Sequence, residues 1–173
     1  STDCVFNGAR GKYTERDTPD AKDTYGVSKA EGEPAKASTL RVSVIGSERK
    51  NKLSLLEWVK KQKGMTCKGY TNQLWNGVTA LQLAKFLDSA IESGNYWQGA
   101  RHYYSPRDIS KYELVKSISD TYKLGVNIEP AESPETYDRT LRSVHPFSSA
   151  PDTREQLTEL YAFDKEHFPE TLV

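Results

Sequence analysis

The chain has 173 residues, with 24 Lys and Arg balanced by 24 Asp and Glu and 36% hydrophobic residues, enough apolar material for one core-forming domain or one and a half. Neither charge sign forms a long block, which leaves no electrostatic footprint for a nucleic acid or an anionic membrane surface. No apolar run approaches the ~20 residues of a membrane helix and no signal segment opens the chain, so a soluble, cytoplasmic protein with neither partner is expected.

Thr2 to Phe6 is β-prone and stops at the turn signal Asn7-Gly8, which predicts a short strand followed by a polar loop. Cys4 and Cys67 lack CxxC spacing and paired histidines, so neither a zinc site nor a disulfide framework is indicated. Asp23-Thr24 can cap a helix beginning near Tyr25, and Pro34 must end or kink it, because proline removes a helical hydrogen bond. LRVSVIG, from Leu40 to Gly46, is β-branched and reads as a buried strand. Strand, helix and strand together make a βαβ unit.

Leu53, Leu56 and Val59 then mark one face of a helix that Gly64 closes. Lys68 to Gly77, rich in Gly, Tyr and Asn, reads as a loop. Three later helices announce themselves by the S/T-x-x-E/Q pattern: Thr79 with Gln82, Ser110 with Glu113 and Thr153 with Gln156. ARHYYS near Arg101 and VNIE near Val126 are short strands by composition. The expected fold is α/β, a small parallel sheet followed by an α-rich C-terminal lobe. Its sheet portion spans residues 1–47 and its lobe 48–173, with a returning strand near 100–105. A parallel sheet of two strands is too small to stand alone, so earlier strands are expected ahead of Ser1.

Tyr25 and Lys29 stand at i and i+4, on one face of a helix about one turn apart. A phenol is a poor proton donor or acceptor at neutral pH, and a neighbouring ammonium favours its ionised form. A hydroxyl at a strand end, Thr2 or Ser1, could hold the same substrate oxygen in line. Such parts suit interconversion of a carbonyl and an alcohol, although a helical Tyr-x-x-x-Lys pair also arises by chance on exposed faces.

The ordered set STDCVFNG, YGVSK with AEGE after it, and LRVSVIG closely resembles the extended short-chain dehydrogenase/reductase superfamily. LLEWVKKQKG, KGYTNQLWNGVTALQLAK, RHYYSPRDISKYELVK and DRTLRS resemble its dTDP-4-dehydrorhamnose reductase type, in the branch found near surface-polysaccharide genes. The resemblance runs from Ser1 to about Asp164. It implies that the sheet is part of a Rossmann-type one, and an oxidoreductase in which Thr2, Tyr25 and Lys29 are catalytic and NADP or NAD is the cofactor. Tyr25, Lys29, Ser43, Val44 and Ile45 would contact that cofactor. Asp3, Trp75, Asn76, Thr79 and Arg139 would bind a nucleotide-sugar substrate. A homodimer is the possible assembly.

Each of those substrate residues also has a structural reading. Thr79 is a helix cap, Trp75 can be core, Asn76-Gly77 can be a turn, and Arg139 can be a solvated charge. Asp3 either orients its loop or touches substrate. His102, His145 and His167 have no neighbours in sequence that suggest a metal site.

The departure from the superfamily is the Gly-rich turn that lets backbone approach a pyrophosphate at a helix N-terminus. The chain contains no G-x-G-x-x-G, nor the acidic or basic residue that would choose between NAD and NADP. The chain by itself is accordingly expected to be inactive or nearly so. An epimerase or dehydratase of the same superfamily, and a non-catalytic regulatory or scaffold relative, are the alternatives. The complete Thr-Tyr-Lys set weighs against the scaffold.

Overall fold

The computed structural model describes residues 1–145 and 149–172. Thr2–Phe6 is not a strand. Asp3–Val5 forms a 3₁₀ turn, because the Thr2 hydroxyl accepts the Cys4 N–H at 3.2 Å and draws the backbone into a local bond instead of a ladder. Only Thr2 retains a strand contact, a parallel bridge to Val42.

Helix α1 (Thr24–Glu31) starts on the Asp23 carboxylate, which accepts the Gly26 N–H at 2.8 Å. It closes at Gly32, ahead of Pro34. LRVSVIG divides into β1 (Ser38–Arg41) and β2 (Val44–Ile45). The break falls at Val42-Ser43, where the chain changes partners: Val42 bridges Thr2, while the Ser43 carbonyl accepts the Val78 N–H at 2.8 Å. The expected continuous burial gives way to alternation, with Thr39 and Arg41 inside and Val44 exposed.

Helix α2 (Leu55–Lys61) begins beyond Leu53, which is exposed. Gly64 follows at φ 69°, a conformation glycine adopts without strain. The expected loop from Lys68 to Gly77 instead carries β3 (Thr66–Tyr70) and β4 (Gln73–Trp75), and β5 (Val78–Thr79) leads into α3 (Ala80–Glu92). Then come β6 (Gly99–His102), β7 (Ile109–Ser110), α4 (Lys111–Thr121), β8 (Asn127–Ala131), β9 (Tyr137–Asp138) and α5 (Thr153–His167).

β6 returns parallel to β1, with Ser38 opposite Gly99 and Arg41 opposite His102. β2 pairs with β5 and β3 with β8, both parallel. β4 is the centre of a three-stranded sheet, antiparallel to β7 and parallel to β9. Short parallel pairs linked by helices define the α/β, Rossmann-type architecture expected from sequence. The β3 strand was hidden because its sequence, TCKGY, is polar and contains glycine, and β4 because QLW is only three residues long; their partners lie many residues downstream.

The main core joins α2, α4 and α5 through Leu56, Val59, Leu114, Ile118, Leu157 and Leu160. Beneath it the Lys60 ammonium bonds Glu57, Ser47 and the Thr171 carbonyl, while Ser47 and Tyr122 both donate to Asp164. That network fastens the C-terminal segment to α2, and a buried charge so satisfied is costly to disrupt.

Of the three expected capping boxes one is complete, Ser110 with Glu113. Gln82 turns instead to the Tyr103 hydroxyl. The third is corrected: Asp152 caps α5, and Gln156 is pulled away to the Thr79 N–H, the Ser105 hydroxyl and the Pro151 carbonyl.

Candidate active site

Three contiguous clefts run along the face formed by the Thr2 turn, α1 and the β7-β4-β9 sheet. The first, of about 560 Å³, holds Thr2, Asp3, Cys4 and Tyr25 against an apolar wall that includes Leu40, Val42, Val44, Leu83 and Leu87. The second, of about 200 Å³, shares Asp3, Cys4 and Ser43 with the first and adds Gln73, Trp75, Lys111, Tyr137 and Arg139. The third, of about 390 Å³, shares Tyr137 and Arg139 with the second and opens past Asn7, Lys22 and Asp23.

The first cleft brings Thr2 and Tyr25 together although neither contacts the other along the chain. α1 can approach because Gly26 has no side chain. A Cβ there would stand 2.3 Å from the Cys4 carbonyl oxygen and 2.5 Å from the Ala21 Cβ. Tyr25 is 54% exposed, so its ring is open to a ligand. The Lys29 ammonium stands 5.7 Å from that ring's centroid, as the i, i+4 spacing predicts.

Thr2 donates to Asp3 Oδ1 at 3.1 Å. Burial pushes the Asp3 carboxyl upward, against the pull of hydrogen bonds from Thr2 and Ser43 and the nearby charges of Arg139 and Lys111. Burial also raises the Cys4 thiol, with Asp3 adding to it. Cys4 and Cys67 are both free, and among the described residues no cluster of His, Cys, Asp and Glu could hold a metal ion.

The remaining expected site residues divide. Ser43 and Val44 line the first cleft, whereas Ile45 is buried in the main core. Trp75 is buried in the core and also lines the second cleft, its Nε1 donating to Ser43 Oγ at 3.0 Å. Arg139 also lines the second cleft, held by the Phe6 carbonyl at 2.8 Å. Asn76 and Thr79 line none of the three clefts. The Asn76 amide pairs both backbone groups of Leu141 at 2.9 Å, and Thr79, 1% exposed, caps α3. His102 is buried among backbone carbonyls, a structural position.

Cys4, Gln73, Lys111 and Tyr137 are lining residues that sequence reasoning did not single out. Lys111 directly follows the Ser110 cap, but nothing local shows that β7 returns it beside Trp75.

Fold and site together describe an α/β protein of Rossmann type, with a helix-borne Tyr-x-x-x-Lys pair beside a hydroxyl-bearing turn. Residues 1–172 match the RmlD substrate binding domain, and the chain belongs to that family. Its fold resembles the dTDP-4-dehydrorhamnose reductase of Yersinia enterocolitica, with TM-score 0.71 and 23% identity, covering 94% of this chain and 64% of that one. The reductase of the same name from Bacillus anthracis, solved in complex with NADP, gives TM-score 0.74 at 20% identity, covering 94% of this chain and 63% of that one. In sequence the chain is 27% identical over 143 residues to the methionine adenosyltransferase 2 subunit beta of Rattus norvegicus, covering 72% of this chain and 41% of that protein. The chain thus spans less than two thirds of the length of each of these relatives. No helix among the described residues is long and apolar enough to cross a membrane.

Proposed function

We propose that the protein carrying this chain is an NAD(P)H-dependent reductase of a nucleotide-linked 4-keto-sugar, serving the synthesis of a surface-polysaccharide sugar. The succession of three clefts, linked first by Asp3, Cys4 and Ser43 and then by Tyr137 and Arg139, carries this reading. It offers room in turn for a nicotinamide, a sugar and a diphosphate. Membership of the family and the NADP bound to the Bacillus reductase support it.

The first cleft fits the nicotinamide and ribose end of such a cofactor: an apolar wall faces the Tyr25 phenol and the Thr2 hydroxyl. The Gly-rich turn that holds a cofactor pyrophosphate in Rossmann folds is not found in this sequence. When bound, the cofactor supplies a hydride to the sugar's carbonyl carbon. Tyr25 gives its phenolic proton to the carbonyl oxygen as charge develops there, so that the C=O becomes an alcohol. Lys29, whose ammonium lies 5.7 Å from the Tyr25 ring centroid, would favour the phenolate left behind and would be the residue to hold the ribose. Thr2 turns its O–H from Asp3 to the same substrate oxygen, while its own oxygen stays fixed by the Cys4 N–H. Arg139, at the junction of the second and third clefts, offers a planar cation to the diphosphate.

Absorbance of NADPH is to be followed with a dTDP-4-keto-6-deoxy sugar and the full-length protein. Turnover should fall about a hundredfold or more in Tyr25→Phe, and wild-type turnover in that variant would refute the role of Tyr25. The match to a protein named as a subunit of another enzyme favours a second reading, a non-catalytic regulatory or scaffold subunit. An inactive full-length protein that co-purifies stoichiometrically with a second enzyme would establish it.

A further inference from the structure

The second cleft is lined along one side by β4 and by Tyr137 of β9, and the register of the β7-β4-β9 sheet decides which side chains reach it. β7 runs antiparallel to β4 with Leu74 opposite Ser110 and Trp75 opposite Ile109, which delivers Lys111, the next residue, to the rim of β4. On the other side Gln73 stands opposite Tyr137. The Lys111 ammonium lies 5.8 Å from the Trp75 ring centroid. Among the described residues it has no hydrogen-bond acceptor and no carboxylate at ion-pair distance. Arg139 contrasts with it, being tied to Phe6 and Cys4. Burial pushes the Lys111 ammonium's pKa downward, against the opposing pull of Asp3 and Cys4. An ammonium partly desolvated on a cleft wall and given no protein acceptor is less stable than one in open water. An oxygen from a ligand relieves that cost.

We infer that Lys111 is a specificity-determining residue, donating to an oxygen substituent of the sugar held between Trp75, Asp3 and Ser43. The inference rests on the reading of the three clefts given above, and goes beyond it by assigning this cation to the sugar and not to the diphosphate. Its place supports that assignment. Lys111 lines the compartment that adjoins the Thr2–Tyr25 cleft and is absent from the outer cleft, where Arg139 and Lys22 stand. The substrate class selected is a sugar nucleotide bearing a hydroxyl or carboxylate toward the N-terminus of α4. A sugar lacking that oxygen leaves the ammonium unpaired and is rejected, as sites built to hydrogen-bond a substrate reject its deoxy analogue.

Calorimetric titration of the full-length protein with dTDP, dTDP-glucose, UDP and UDP-glucose tests this. The wild type should bind one nucleoside diphosphate, and its glucose form more tightly. Lys111→Met should weaken the glucose form about tenfold or more while leaving the bare diphosphate unchanged, the loss expected for one charge-assisted hydrogen bond. Equal weakening of both ligands would place Lys111 at the phosphates and overturn the inference, as would no change in either. Failure of the wild type to bind either nucleotide would overturn the underlying reading instead. If the Met variant loses its thermal transition, Lys111→Gln, neutral and shorter, is read by the same criteria.

Discussion

Gly26 lies against Cys4 so closely that any side chain would collide: a Cβ would stand 2.3 Å from the Cys4 carbonyl oxygen. The obstacle is backbone, not the movable tip of a side chain, so α1 itself would have to retreat from the Thr2 turn. Gly26→Ala is therefore expected to destabilise the fold by about 1–3 kcal/mol, as overpacking does. Turnover should fall more than the stability loss alone accounts for, since Tyr25 moves with the helix. Denaturant titration together with steady-state kinetics checks both, and an unchanged kcat would contradict the geometry.

Asn76 replaces a strand partner for Leu141, accepting its N–H and donating to its carbonyl, both at 2.9 Å. Asn76→Ala leaves the buried Leu141 N–H without a partner and its carbonyl with the Arg142 guanidinium alone, at 2.7 Å, a cost of about 1–3 kcal/mol. Chemical denaturation reads the loss directly. A change below about 0.5 kcal/mol would mean that water or a shifted backbone replaces the amide.

His102 is fully buried, with Nδ1 at 2.8 Å from the Arg142 carbonyl and 3.1 Å from that of Tyr13. Carbonyls only accept, so Nδ1 carries the proton and the bare Nε2 faces Arg41 at 3.5 Å. Burial lowers the imidazole's pKa, against the opposing pull of Glu15. The unfolded chain thus binds a proton more readily than the folded one. The stability held by neutral His102 is complete above the unfolded value of about 6.5 and is lost as pH falls below it toward the folded value. Melting temperature should decline as pH falls below about 6.5, and less steeply in His102→Gln. Parallel profiles for the two proteins would sink this assignment.

Thr153 has a buried hydroxyl with no hydrogen-bond partner among the described residues, because Asp152 has taken the capping position. Replacing an unpaired hydroxyl by a methyl removes a desolvation cost. Thr153→Val should be neutral or stabilising by up to about 1 kcal/mol, as judged by thermal denaturation. A clear loss of stability would show that the hydroxyl does find a partner in solution.

The helices were the most legible part of the fold, because capping and apolar spacing act within a few residues. Asp23, Ser110 and the Leu114–Ile118 stripe of α4 stand where such rules put them. The strands were less so. β3 and β4 depend on β8, β7 and β9, which lie far along the chain, and neither the polar TCKGY nor the short QLW gives a sign of that pairing. The Thr2 segment misled in the opposite sense, since its β-branched and aromatic residues are buried by a 3₁₀ turn whose own side chain caps it.

In the site, the Tyr25–Lys29 pair and the neighbouring Thr2 hydroxyl could be read from spacing and resemblance. Which other residues face the ligand could not. Asn76 and Thr79 carry polar groups as suitable as those of Ser43 and Arg139, yet the fold consumes them in a backbone clamp and a helix cap. Lys111 reaches the second cleft only through the register of β7 on β4. Local chemistry, set by bonds within one helical turn, was determined by the sequence alone. The composition of the clefts was decided by the tertiary structure, because each is walled by segments that only long-range strand pairing and the close contact at Gly26 bring together.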